Sequence, residues 1–332
     1  MGLKLVASTY FTNLLEPYQP QLPVDQLVVE LNNLYHGLEA QNYDIRHPEV
    51  HKQLPPLWQE MIERGVEECK SGGWRILDFG CGTGFEAEQV LRNLPRGNVV
   101  QLTCYDPSPE MLNRCCSRVA PLFPEAEFCS DLSTLLSRGE RCYNLLATNS
   151  LLHHLPDPVS TINRLLALFD HNSVWLAGHE PSNRFYKNLE CLKVYRRFLR
   201  EHRWRKILSP RRYLKRLRLV IGLEPNLAQK TAEEALRRGF FKKRPPVSVI
   251  GKLVDFNVPH SPEEVALGRG FNFEMMHQDF AGAWDLAWVK TYSFMGPFYE
   301  GHLPEKWIHL CRELAQSFPK DGANFCAVWK RS

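Results

Sequence analysis

The chain has 332 residues and sets 41 Lys and Arg against 37 Asp and Glu, a formal charge of +4 at pH 7. About a third of that length lies beyond what a bare α/β core needs, so one main α/β domain with added structure is expected. No apolar run reaches the roughly twenty residues of a membrane span, and residues 1–15 lack the pattern of a signal peptide. The ten cysteines have no paired metal-ligand spacing and read as reduced thiols of a cytoplasmic protein without a metal site.

In chain order, residues 1–70 read as a helical segment that serves as a lid. An apolar run at 74–79 then meets the turn Gly80-Cys81-Gly82-Thr83-Gly84 and a helix opening near Phe85. This is the pattern of a nucleotide-type pocket at the carboxyl edge of a parallel sheet. Glycines at 80, 82 and 84 permit torsions and a close ligand approach that a Cβ would obstruct. A dinucleotide fingerprint counted from Gly80 would need its third glycine where Phe85 stands, and no phosphate-loop Lys or Ser is nearby. An NAD-dependent oxidoreductase is therefore disfavoured, and what remains is an acid, Asp78, ahead of three alternate glycines.

A second run, 99–105, ends at Asp106, a carboxylate that can accept both hydroxyls of a ribose or, equally, cap a helix. Ser108 is the expected N-cap of the next helix, with Pro109 at its first position and Met111 turned back toward the pocket. The third run, 126–130, reaches Asp131 and Leu132, which also read as an ordinary helix start. The fourth, 143–148, reaches Asn149 and the string Leu151-Leu152-His153-His154-Leu155-Pro156, whose histidines are either packed residues or groups near the chemistry. A fifth run, 173–178, ends at His179 and Glu180.

Between residues 184 and 245 there are twenty Lys or Arg and five acids, a balance of +15 that leaves −11 on the rest of the chain. Phe185, Leu189, Leu192 and Leu199 recur at helical spacing opposite Lys187, Lys193, Arg196, Arg197 and Arg200, and a second basic helix is expected around Tyr213, Leu214, Leu217 and Ile221. Such a face attracts anionic headgroups, phosphorylated substrates or nucleic acid, or is a solvated helical surface. The chain then returns to the core: a helix over 273–283, a strand over 284–295, a helix over 304–318 and a last strand over 324–330.

The glycine turn with Asp78, followed by Asp106, Asp131 and Asn149 at successive strand ends, resembles the class I S-adenosylmethionine-dependent methyltransferases, most closely the small-molecule type 11 group. The resemblance implies a doubly wound, seven-stranded, mostly parallel sheet of Rossmann-like form with its last pair antiparallel. The expected units are a lid at 1–70, a core at 71–183, a basic helical cap over the substrate at 184–270 and the rest of the core at 271–332. It implies S-adenosyl-L-methionine as cofactor, held by Asp78, Gly80, Gly82, Gly84, Asp106 and Met111. It further implies Asp131 and Leu132 near the adenine and the segment from Asn149 along the methionine part. In the string Asn33 to Asp44 it points to Tyr43, with Tyr35 second, as a tyrosine folding over the methionine, though a core aromatic reads the same way.

Methyl transfer from a sulfonium is an in-line displacement that needs alignment, exclusion of water and, for some acceptors, removal of a proton. His179 is the first candidate for a general base and His154 the second. Aromatic residues around Trp284, Trp288, Tyr292, Phe294, Phe298 and Tyr299 suggest an apolar pocket wall or buried strand residues. The expected reaction is biosynthetic methylation of a hydrophobic or amphiphilic small molecule, lipid-like or anionic, most simply at oxygen. Any peripheral membrane contact would be made by the basic insert. The alternatives are methyl transfer to RNA or another polyanion through that insert, or noncatalytic S-adenosylmethionine binding. The fourth strand end lacks the Pro-Pro-aromatic string used on nucleobase amines, and the chain lacks the Pro-Cys nucleophile used on cytosine, so nucleic acid is disfavoured.

Overall fold

The computed structural model describes residues 4–69, 71–95, 97–207, 226–280, 282–296 and 298–331. Seven strands, β1 Trp74–Phe79, β2 Val99–Tyr105, β3 Glu127–Cys129, β4 Tyr143–Asn149, β5 Phe169–Pro181, β6 Trp284–Tyr292 and β7 Asn324–Arg331, form one sheet. Its order is β3-β2-β1-β4-β5-β7-β6. The first five strands are parallel, and β7 runs antiparallel between β5 and β6. After β1 the chain winds outward through β2 and β3 and then crosses back to β4. The crevice at the carboxyl ends of β1 and β4 is thus the topological switch point, where such sheets bind ligands.

Central strands covered on both faces need apolar residues at consecutive positions, and every residue of β4 is buried. Alternation along β1 sends Ile76 to a layer with Trp58, Leu102, Val174 and Val328. The next residue, Leu77, goes to the opposite layer with Trp175, Trp284 and Trp329.

Two further cores lie outside the sheet. The helix Val24–Glu39 contributes Leu27, Val28, Leu31 and Leu34 to a cluster with Ala232, Ala235, Ile250 and Leu253. The first part of the insert instead packs Phe185, Leu192, Tyr195 and Phe198 against Met295, Trp307 and Leu314 near the C-terminus. The insert is therefore shared between two cores, and its later half packs with the N-terminal helices in one of them.

Several boundaries differ from the sequence pattern for local reasons. The strand expected over 284–295 stops at Tyr292 because Ser293 takes φ 64° and turns the chain. The helix expected over 273–283 ends at Asp279, and Gly282 at φ 77° leads into β6. Phe185 belongs to a separate short helix, Arg184–Lys187, ahead of Leu189–Ile207, and Leu189, expected on the apolar face, is 78% exposed. The expected helix around Tyr213 to Ile221 lies outside the described residues. No helix among the described residues is long and apolar enough to cross a membrane.

Candidate active site

A cleft of about 850 Å³, the open space at its mouth included, occupies the switch-point crevice. The turn after β1 supplies Gly80 to Thr83, Phe85 and Glu86, and the end of β2 supplies Asp106 to Ser108 and Met111. From the end of β4 come Asn149, Ser150, Leu151, His154 and Leu155, and the lid adds Val29, Asn32, Asn33, His36, Tyr43 and Val50.

The three glycines of the turn all have positive φ, yet they do different things. A Cβ on Gly80 would lie 2.6 Å from Leu151, and one on Gly84 would lie 3.0 Å from the Cys115 sulfur and 3.1 Å from its Cα, so these two positions are glycine for packing. A Cβ on Gly82 meets nothing within 4 Å. Because Gly82 lines the cavity, that open space belongs to it.

Gly82 N–H donates to Asp106 Oδ2 and Ser108 N–H to Asp106 Oδ1, both at 2.9 Å. These bonds fix the carboxylate while leaving each oxygen a lone pair. Burial pushes the Asp106 carboxyl up to about 6 against the pull of the two backbone donors. Burial likewise pushes Glu86 up to about 8. Asp78 is raised by burial and then by Glu86; its Oδ2 accepts from Ala87 N–H at 3.1 Å, and Oδ1 has no partner among the described residues. No Lys or Arg lines this cavity among the described residues. Carboxyls held up by burial in a wall without Lys or Arg suit a cationic ligand and oppose a pyrophosphate.

Of the residues singled out from sequence, Tyr43, Gly80, Gly82, Asp106, Met111, Asn149 and His154 come together in the cavity wall, whereas Asp78, Gly84, Asp131, Leu132 and His179 lie outside it. Asp131 is an exposed N-cap that accepts from Ser133 and Thr134 N–H, and Leu132 packs on the sheet core. Asn149 Oδ1 accepts from the buried Trp58 indole at 3.1 Å. Tyr43 sits with its ring 4.5 Å from that of His47, and burial raises its hydroxyl pKa.

His179 occupies an irregularity of β5 with φ 54°, its Nδ1 2.5 Å from the Tyr292 hydroxyl, and burial lowers it to about 4. His154 Nδ1 donates to the Val254 carbonyl at 2.7 Å, and burial, followed by the neighbouring His153 and His36, lowers its pKa. The expected aromatic wall is corrected. Trp284, Phe294 and Phe298 pack in cores away from the cavity, Tyr292 is buried against His179, and Trp288 and Tyr299 do not line it either. Val29, Val50 and Phe85 provide apolar wall instead.

Sequence reading missed Glu86, His36 and the contacts that tie the N-terminal segment to the turn after β1. Asp44 of the lid accepts from Thr83 Oγ1 at 2.9 Å, pairs with His51 at 3.1 Å and is bound by Arg118. Burial alone would raise its carboxyl, but the His51 hydrogen bond and the Arg118 charge hold it well below the usual range. Three distant parts of the chain meet there, so no local spacing announces it.

A glycine turn at the switch point, an acid at the end of the second strand and a β3-β2-β1-β4-β5-β7-β6 sheet with an antiparallel seventh strand define a class I S-adenosylmethionine-dependent methyltransferase. The chain belongs to the methyltransferase domain family, whose model matches residues 50–225. It is 21% identical over 141 residues to the malonyl-[acyl-carrier protein] O-methyltransferase of Halalkalibacterium halodurans, covering 42% of this chain and 51% of that protein. The chain thus spans about half the length of the curated relative it matches. Among solved structures, the plantazolicin methyltransferase BpumL in complex with SAH is 13% identical over 93% of this chain and 99% of its own, with TM-score 0.44. Magnesium protoporphyrin IX methyltransferase (ChlM) from Synechocystis PCC 6803 with bound SAH is 11% identical over 84% and 83%, with TM-score 0.41.

Proposed function

We propose that this chain transfers the methyl group of S-adenosylmethionine to an oxygen of a hydrophobic or amphiphilic small molecule. The observation that carries the proposal is the composition of the cavity: an open glycine position, a fixed Asp106 carboxylate and buried acids in a wall without Lys or Arg. In this reading Asp106 accepts the ribose hydroxyls, Gly82 makes room for the nucleoside, and Met111 packs against it. Tyr43 and Asn149 border the methionine part, with Glu86 and Asp78 favouring its positive charge. Asp131 and Leu132 are assigned no ligand contact here. The chemistry supplied by the cofactor when bound is a methyl carbon on an electron-poor sulfur.

The protein's own contribution is to align the acceptor and exclude water. The lid clamp of Asp44, Thr83 and Arg118 closes one side, and Val29, Val50 and Phe85 keep the interior apolar. His154 is preferred to His179 as the side chain that activates the acceptor. It reaches the cavity and keeps its Nε2 lone pair, whereas His179 lies outside the wall and is bonded to Tyr292. A neutral imidazole of low basicity suits an acidic acceptor, such as a phenol or a carboxylic acid. The relative's name as an O-methyltransferase supports oxygen as the acceptor atom, and the apolar cavity wall supports an amphiphilic acceptor. The cytoplasm is the proposed compartment, and the basic helix Leu189–Ile207 is the proposed face for any contact with an anionic membrane.

Titration calorimetry with S-adenosylmethionine, S-adenosylhomocysteine and NAD tests the cofactor, and S-adenosylhomocysteine formation with phenolic and fatty-acid extracts tests the transfer. Saturable binding of the first two and none of NAD is expected. Binding of NAD alone would sink the proposal.

A further inference from the structure

A second group of polar atoms gathers beside His154 that a cofactor role does not use. Ring nitrogens of His153 and His154 and a carboxylate oxygen of Asp255 all lie within 4.8 Å of one another. Each imidazole has its Nδ1 engaged with an acceptor. His153 Nδ1 is 3.0 Å from Glu180 Oε2, and His154 Nδ1 is 2.7 Å from the Val254 carbonyl. Glu180 also accepts from the backbone N–H of Leu151 and Leu152, both at 2.8 Å, so it acts as an acceptor throughout. Both rings therefore carry their proton on Nδ1 and keep a lone pair on Nε2. Histidines that ligate metals are held in this way, the opposite nitrogen donating to a carboxylate or a backbone carbonyl.

Asp255 completes the set. Among the described residues nothing donates a hydrogen bond to its carboxylate, and none reaches either Nε2. With both Nδ1 atoms engaged, the two Nε2 atoms and the Asp255 carboxylate are the acceptors left in this group, and a cation would satisfy them.

The loop that carries Asp255 is fixed against the histidines by its own backbone. Asn257 N–H donates to the His153 carbonyl and Asn257 Nδ2 to the Leu155 carbonyl, both at 2.9 Å. The buried Arg269 guanidinium donates to the Phe256 carbonyl at 3.0 Å and to the Asp255 carbonyl, while its charge is paired with Glu264 at 2.9 Å. A loop so held presents its carboxylate in one place, which a ligand site requires.

We infer that His153, His154 and Asp255 bind a divalent first-row transition metal of the zinc or iron(II) class at the β4 end of the cavity. Two imidazoles and one carboxylate are the donor set those ions favour, with coordination positions left open. Bonds of about 2.0–2.1 Å place ligand atoms about 3.3 Å apart on a tetrahedral ion. Closing the set thus takes a movement of roughly 1 Å, within the reach of the Asp255 side-chain torsions. A ligating imidazole must be neutral, and with its Nδ1 proton on the Val254 carbonyl His154 keeps the Nε2 lone pair for the ion. If methyl transfer is the reaction, an ion here would take the His154 Nε2 lone pair and replace that imidazole as the activating group, acidifying an acceptor hydroxyl that reached it, the proton leaving to water before the C–O bond forms and the C–S bond breaks. That consequence rests on the proposed function; the site itself does not.

The test uses the full chain, stripped with a chelator and titrated with Co²⁺ as a spectroscopic probe. One equivalent is expected, with visible ligand-field absorption and without the thiolate charge-transfer band that binding to the cysteines would give. Asp255→Ala and His154→Ala should each weaken binding by more than about a hundredfold, the loss of a ligand exceeding that of a supporting partner. His309→Ala, an exposed residue of the helix Glu305–Ser317, should leave it unchanged. S-adenosylmethionine titration of the same samples checks the fold of each variant and separates the two ideas. Cobalt uptake without cofactor binding leaves the metal site standing and removes the methyl-transfer reading. Absence of an equivalent of cobalt in the wild type, or its retention in Asp255→Ala, overturns the site.

Discussion

Asp106→Asn offers the most direct check on the cofactor assignment, because the structure predicts both a size and a pH dependence. Asp106 is held by two backbone N–H groups and buried, and its pKa stands near 6 rather than 3.8. If the ionised form accepts the ribose hydroxyls, apparent affinity follows the ionised fraction. That fraction is about nine in ten at pH 7 and about one in ten at pH 5, so wild-type affinity should fall roughly tenfold between them. In Asp106→Asn one oxygen acceptor is replaced by an amide NH₂, which faces a backbone donor and cannot accept from the ligand. Losing one hydrogen bond to a charged group costs about 1.5–3 kcal/mol, or roughly 10- to 150-fold in affinity at pH 7. The variant should also lose the slope between pH 5 and 7. Calorimetry with S-adenosylhomocysteine at pH 5, 6 and 7, with circular dichroism to confirm folding, measures both. A wild-type affinity equal at pH 5 and 7, or a variant that binds as tightly as wild type, would refute the assignment.

The turn glycines should separate by readout. Gly82→Val should abolish cofactor binding by filling the open position, whereas Gly84→Ala should lower Tm through its 3.0–3.1 Å clash with Cys115 while the protein that remains folded still binds; equal effects of the two on affinity would count against the cavity assignment. A cationic ligand should draw Glu86, near 8, toward its ionised form, so binding at pH 7 should release protons; calorimetry in buffers of different ionisation enthalpy measures this, and no release or a net uptake would contradict it. In the lid, Glu39 and His47 pair at 3.2 Å, with Glu39 lowered to about 2 and His47 raised to about 9. Hydrogen bonds from His36 and then His47 on Glu39, and from Glu39 and then Glu49 on His47, outweigh the opposing effect of burial on each. Because the Glu39 pKa is depressed and that of His47 is raised, their contribution is complete between about 4.5 and 6.5. It fades as pH falls toward 2 or rises through 9. Exchange protection of the helix Val24–Glu39, corrected for intrinsic rates, should follow that window, and protection unchanged beyond pH 9.5 would argue against the pair as the lid's fastening. Arg118→Ala should open the same lid from the other side and weaken cofactor binding without unfolding the sheet, as a binding assay beside a melting curve would reveal.

What could be read from the residues was what neighbours in sequence decide. The strand-turn-helix at 74–93, the acid after β2 and the Ser108 cap are local patterns, and each stands where its pattern put it. The sequence could not say which glycine faces the ligand, because Leu151 and Cys115, which claim Gly80 and Gly84, lie far along the chain. Nor could it rank the histidines. His179 follows a strand end as a catalytic base might, but the irregular register of β5 gives its ring to Tyr292, 113 residues away. A metal reading looked for cysteine spacings, whereas His153 and Asp255 are brought together only by the fold.

The same division explains how the lid works on the site. The helix Val24–Glu39 shows an apolar set, Leu27, Val28, Leu31 and Leu34, at the spacing of one helical face. That face is buried against Ala232, Ala235, Ile250 and Leu253 of the insert, while Val29, Asn33 and His36 line the cavity. Asn32 stands between, its amide donating to Val28 O at 2.9 Å and reaching toward Leu253 O at 3.5 Å. One rigid helix therefore connects the insert to the ligand. From the same core the chain runs through Val254 and Asp255 to His154, so the cofactor side and the His154 side of the cavity are both braced by one cluster. Loosening that cluster, for example with Ile250→Ala, creates a void worth about 2–5 kcal/mol in a well-packed core. Such a change should disturb both sides of the cavity although Ile250 touches neither.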